Sequence, residues 1–182
     1  MKPGYSLAQL EEALWARDGA RVHAVIDAAL VPGLPTRLQE SGCDFDCLRP
    51  GLLNPIQAAQ AAYIVQLKPD APLLEWLLGE ASKSFPGWGV LMISQRPLLA
   101  MREHARKLAE VRTPEGQRRP WRWWDHGLLE ALLPSLTPAQ RDQFFAPSQT
   151  LVAVSPTAWT WWSAENGLLR REVRRLMAGT SS

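Results

Sequence analysis

Cysteine and histidine are scarce in this 182-residue chain, two of the first and three of the second. Cys43 and Cys47 stand close together in CDFDC, but His23, His104 and His126 are scattered. Two thiols with Asp44 and Asp46 between them fall short of a zinc ligand set, and they read as reduced thiols beside a strand. No metal and no cofactor is expected. Excess charge is lacking too. A net charge of +2 gives no field over the whole molecule for nucleic acid or an acidic substrate. No apolar run approaches the ~18 residues of a membrane span, so no membrane insertion is expected. The opening MKPGYSLAQLEEALWARDG carries acids where a cleaved secretory signal needs an apolar core, and a cytoplasmic location is the simple reading. There is no glycine-rich phosphate loop and no serine in a nucleophile-elbow pattern. No catalytic residue is assigned, and the protein is not expected to be an enzyme.

What the chain has is an ordinary soluble composition, 46% apolar and 21% charged, at a length that one core can serve. It also has nine tryptophans. Three of them, with two arginines, fall in residues 119–125, RPWRWWD. A helix pattern precedes this stretch from about Pro97, with Leu98, Met101, Ala105, Leu108 and Ala109 on one face. Arg102 and Arg106 edge that face on one side and His104 on the other. Residues 121–125 read as a strand, because aromatics fit a pleated surface. Trp121 and Trp123 would share one face, Arg122 and Trp124 the other, so part of this aromatic area should be core. A second helix pattern follows from Gly127.

Elsewhere, Ser6 with Gln9 and Thr137 with Gln140 form capping boxes that open helices. Strands are predicted over 22–27, 45–48, 62–67 and 88–94, with a largely buried helix from Pro72 between the last two. Asp27 ends the first strand, a catalytic position in many α/β folds and equally a cap for the next helix; the cap is the preferred reading. Two more strands are predicted at 151–154 and 159–162. At the end of the chain Leu169, Val173, Leu176 and Met177 make one stripe of a helical wheel, with Arg170, Arg171, Arg174 and Arg175 opposite, so a basic amphipathic helix is predicted. Alternating strands and helices argue for a mixed α/β domain, a mainly parallel sheet covered by helices, over residues 1–150. Residues 151–182 would be a C-terminal extension, a strand pair plus the basic helix.

The pieces in order are HAVIDAAL, AYIVQL, a WLL helix, WGVLMIS, a helix carrying HARK, WRWWD followed by LL, and FFAP. This order resembles the adaptor chaperones that load toxic effectors onto the type VI secretion apparatus, a family long known only as a domain of unknown function. The resemblance spans residues 22–147. The family's histidine-leucine-arginine-arginine element is matched by His104, Ala105, Arg106 and Lys107. Its aromatic-arginine-aromatic-aromatic-aspartate element is matched by Trp121, Arg122, Trp123, Trp124 and Asp125. The proline-arginine that follows is His126 and Gly127 here, and the phenylalanine-glycine-proline is Phe145, Ala146 and Pro147. The resemblance implies a non-enzymatic role in the cytoplasm: binding a cognate effector toxin and handing it to a VgrG-type spike protein.

Trp and Arg are the residue types most enriched at binding hot spots. Trp121, Arg122, Trp123 and Trp124, with Arg170, Arg171, Arg174 and Arg175, are therefore the candidate partner-binding residues. His104, Arg106, Asp125 and Asp27 are read as structural or partner-binding, with Arg106 or Arg122 pairing to Asp125. A nucleic-acid module stacking bases on the tryptophans is the alternative. An immunity protein or another protein-binding protein is a further one.

Overall fold

The computed structural model describes residues 3–146 and 150–179; Pro147, the end of the FFAP piece, lies outside them. The strands in chain order are β1 (Arg21–Asp27), β2 (Phe45–Cys47), β3 (Ala62–Leu67) and β4 (Gly89–Ser94), then a short exposed hairpin of β5 (Glu110–Arg112) and β6 (Arg118–Pro120). Last come β7 (Thr150–Val154), β8 (Ala158–Glu165) and β9 (Leu168–Arg175). The helices are α1 (Leu7–Leu14), α2 (Leu34–Glu40), α3 (Pro55–Ala58), α4 (Pro72–Trp76), α5 (Ser82–Ser84), α6 (Leu98–Leu108), α7 (His126–Ser135) and α8 (Pro138–Phe145), with a π-helical turn, Leu77–Ala81, joining α4 to α5.

Seven strands form one sheet in the order β2-β3-β1-β4-β7-β8-β9. The two-residue period of a strand sends alternate side chains to opposite faces, and here each face carries its own core. Val22, Ala24 and Ile26 of β1 point to the layer made by α1, α2 and α4, with Leu10, Leu14, Leu34, Leu38 and Leu74. Val25 of β1, with Ile64, Val90 and Met92 beside it, points to the layer of α6, α7 and α8, with Met101, Ala105, Leu129 and Phe144. Trp159 and Trp162 of β8 extend the two cores in turn.

Every pairing between strands of this sheet is antiparallel, which overturns the mainly parallel sheet predicted from the alternation of elements. A strand covered on both faces reads as a continuous apolar run whichever way its neighbours run. WGVLMIS therefore carries burial but no direction. The connections from β1 to β2 and from β3 to β4 do cross the sheet, but each passes over one strand, and the strand between them, β3 or β1, runs the other way, so every neighbouring pair is antiparallel.

The predicted C-terminal basic helix is also corrected: residues 168–175 are β9, paired along its whole length with β8. Asn166 and Gly167 turn the hairpin, both at positive φ, 52° and 73°. Asn-Gly between paired strands is the favoured two-residue type I′ turn, and its twist commits the following residues to a strand. The strands after Thr150 thus continue the central sheet. Residues 121–125 are likewise no strand: β6 stops at Pro120, and the chain turns, Asp125 N–H donating to the Arg122 carbonyl at 3.1 Å. A strand would send Trp123 and Trp124 to opposite faces. The turn sends both indoles inward, 0% and 7% exposed.

Candidate functional site

The last carbonyls of a helix have no partner within it. At the C-terminus of α6 the tryptophan segment supplies partners. The Trp121 indole N–H donates to the Leu108 carbonyl, and the Trp121 backbone N–H to the Ala109 carbonyl at 2.9 Å. The Trp123 indole donates to the Ala105 carbonyl at 3.1 Å, as a second bond beside the one that carbonyl accepts from the Ala109 N–H. Trp124 reaches further, its Nε1 donating to Asp27 Oδ2 at the end of β1, 3.0 Å away. Asp27 is 2% exposed, and its other oxygen accepts from the Ala29 N–H at 2.9 Å, so it closes the turn after β1; the helix cap preferred from the sequence is not formed, because α2 begins after Gly33 and has no side-chain cap. Arg122 Nη2 forms an ion pair with the same Oδ2. The tryptophan segment is thus a fastener between α6 and the sheet, with Arg122 as its exposed end.

Arg106 does not pair with Asp125. Its guanidinium donates to the carbonyls of Cys47, 2.8 Å, and Leu48, 3.1 Å, tying α6 to the end of β2. Arg102 repeats the tie through Asp46 at 2.6 Å. Burial raises the Asp46 carboxyl pKa, but Arg102, the Cys47 N–H and Arg106 outweigh it, so the net shift is downward. Asp125 is exposed and caps α7, its Oδ1 accepting from Leu128 N–H at 2.9 Å. Burial, and then the Lys107 charge, lower the pKa of His104 against the pull of the Phe144 carbonyl, to which its Nε2–H donates at 2.7 Å. The histidine is neutral at pH 7 and joins α6 to α8.

Two clefts flank this fastened segment, and Trp121 lines both. The larger, about 940 Å³, is an open, mostly apolar groove between α6, α7 and α8. Leu108, Val111, Leu132, Leu136 and Phe144 give it an apolar floor, and Arg96, Glu103, Lys107, Gln140 and Gln143 give it a polar rim. The smaller, about 470 Å³, lies between Leu48, Arg49, Gln60, Trp121 and Arg122, with Asp27 at its base. Among the described residues there is no cluster of three or more metal-ligating side chains.

Residues 22–143, about two thirds of the chain, match the family model described as a domain of unknown function, DUF4123. The chain belongs to the DUF4123 family. The match runs from β1 into α8, so Asp27, α6, the tryptophan fastener and most of the groove of this DUF4123 protein lie within it. No curated protein and no solved structure matches the chain.

The predicted site residues separate into three groups. His104, Arg106, Trp121, Arg122, Trp123, Trp124 and Asp27 meet around the C-terminus of α6, most of them bonded to one another or to backbone. Of the four partner-binding candidates here, Arg122 and part of Trp121 are left at the surface. Asp125 faces solvent beside them. Arg170, Arg171, Arg174 and Arg175 sit on β9, the edge of the sheet, and line neither cleft. Sequence reasoning missed the groove itself. Its signal was present: Ala100, Glu103 and Lys107 recur at helical spacing on α6, away from the buried Met101 and Ala105.

Proposed function

We propose that this DUF4123 protein is a non-enzymatic adaptor chaperone of type VI secretion that seats a cognate effector toxin in the groove around Trp121 and delivers it to a VgrG-type spike protein. The observation that carries the reading is the groove. It combines an aromatic anchor held in one pose, an apolar floor and a polar rim of both charges, which is the anatomy of a binding hot spot. The side chains that carry the resemblance, among them His104, Arg106, Trp123 and Trp124, support it indirectly. Their hydrogen bonds fix α6 against the sheet and α8, so the groove they border is preorganised. Base stacking has less to rest on, because Trp123 and Trp124 lie in the core and present no free ring face. The test is co-purification of the chain from its native host and from strains deleted for each gene neighbouring its own that encodes a candidate toxin. Retention of one such toxin and of a spike protein at moderate salt is the expected result, and recovery of the chain alone from the native host would defeat the proposal.

A further inference from the structure

The sheet ends in β9, eight residues long and exposed over most of its length. Along a strand the backbone N–H and C=O groups point alternately toward and away from the neighbour. Leu176 N–H donates to the Thr157 carbonyl at 2.9 Å at the β8 side, while the Arg175 carbonyl accepts from Tyr5 N–H at 2.8 Å on the outer side. The outer side therefore carries the groups of Leu169, Arg171 and Val173. Tyr5 bridges only to the C-terminal end, by Leu176. Among the described residues, no backbone group pairs with the outward N–H and C=O of Leu169, Arg171 and Val173.

An open edge of this length is a template for another strand unless charge or cover blocks it. Arg170, Arg171, Arg174 and Arg175 with Glu172 give the strand a local +3, in a chain whose total is +2. Antiparallel pairing of two copies along this edge would bring +3 against +3, so the charge disfavours self-association. Two of the arginines are already engaged: Arg171 with Glu130 at 2.8 Å, and Arg174 with Glu172 at 3.1 Å and over the Trp161 ring. Arg170 has a loose, solvent-exposed contact with Glu165 at 3.4 Å, and Arg175 is exposed.

We propose that β9 is a docking edge for an extended acidic segment of a protein partner, which adds to the sheet as an eighth strand. The ladder supplies the attachment, and opposite charge across the strand selects the register and the partner. This proposal is independent of the groove around Trp121 and survives or fails without it. The probe is a synthetic peptide alternating glutamate with valine and threonine, compared with its lysine counterpart and with oligothymidine. Amide exchange at Leu169, Arg171 and Val173 should slow by about tenfold or more with the acidic peptide at low salt, and less as salt rises. Val173→Pro removes an outward N–H that has no backbone partner among the described residues, so its fold should hold while peptide binding falls about tenfold. If that variant fails to fold, Arg170→Glu with Arg175→Glu serves instead, with the same loss expected. No protection at millimolar acidic peptide, equal protection by the lysine peptide, or oligothymidine binding as tightly as the acidic peptide would each overturn the proposal.

Discussion

At the scale of single residues, two buried polar groups are handled in opposite ways. Asp27 is satisfied on both oxygens by Ala29, Trp124 and Arg122. Asp27→Ala strands a buried indole N–H and frees Arg122, which is half exposed and so regains water readily. A loss of about 2–3 kcal/mol is expected from thermal unfolding, with Asp27→Asn recovering part of it through the retained acceptor. His23 lies fully buried on β1, and among the described residues neither ring nitrogen makes a well-formed hydrogen bond, Gln66 across on β3 being near enough for a weak one. Burial first, then the charge of Arg21, hold its pKa at about 4 against a smaller opposite pull from Gln66. The unfolded chain binds this proton from about pH 6.5 downward and the folded chain does not, so stability falls as pH drops from 6.5 and levels off near 4. The loss over that window is about 3 kcal/mol. Val or Leu has no proton to take up. His23→Leu should therefore hold its melting temperature at pH 7 and flatten the decline toward pH 4.5; an equal decline in both proteins would remove His23 as the cause. The aspartate at the strand end was legible in the sequence, but its partners were not. Arg122 and Trp124 are more than ninety positions away, and nothing in local spacing ties them to residue 27.

At the scale of elements, helix caps were legible and the C-terminal strand was not. Ser6 with Gln9 and Thr137 with Gln140 form the capping boxes their spacing announces. The arginine-rich end misled because Leu169 and Val173 satisfy the helical period and the strand period alike; four residues apart is a multiple of two and close to a helical turn. Asn166-Gly167 was the deciding signal. Gly167 also packs against α8: its N–H donates to Asp142 Oδ1 at 3.1 Å, and a Cβ there would lie 2.6 Å from the Pro138 Cβ. Gly167→Ala combines positive-φ strain with overpacking and should cost about 2–4 kcal/mol. Chemical denaturation measures it, and a change under 1 kcal/mol would mean that the hairpin is not anchored on α8 as described. The tryptophan segment misled for a related reason. Three aromatics in four residues suit a pleated strand, yet here the helix C-terminus and a buried carboxylate supply acceptors that only a turn can reach.

At the scale of the whole molecule, a two-faced sheet between helical layers was legible as burial, while strand direction was not, because a run such as WGVLMIS is apolar for any neighbour. Gly89 shows how tight the packing is: a Cβ there would stand 1.8 Å from the Val25 carbonyl oxygen of β1. The groove was illegible for a different cause. It is made by α6, α7 and α8 meeting across Trp121, and each contributes residues that are unremarkable alone. The account rests on that groove as the seat of a protein cargo. No helix among the described residues is long and apolar enough to cross a membrane, and the groove's mixed rim suits a protein surface. Ala100 lines the groove without belonging to either core, so Ala100→Arg fills it while leaving the packing in place. The most direct measurement is calorimetric titration of the co-purified toxin into the wild-type chain and into Ala100→Arg, with melting curves of both. The account predicts an affinity loss of about a hundredfold, or 2.7 kcal/mol, at an unchanged melting temperature. Equal affinity in two equally stable proteins would contradict it.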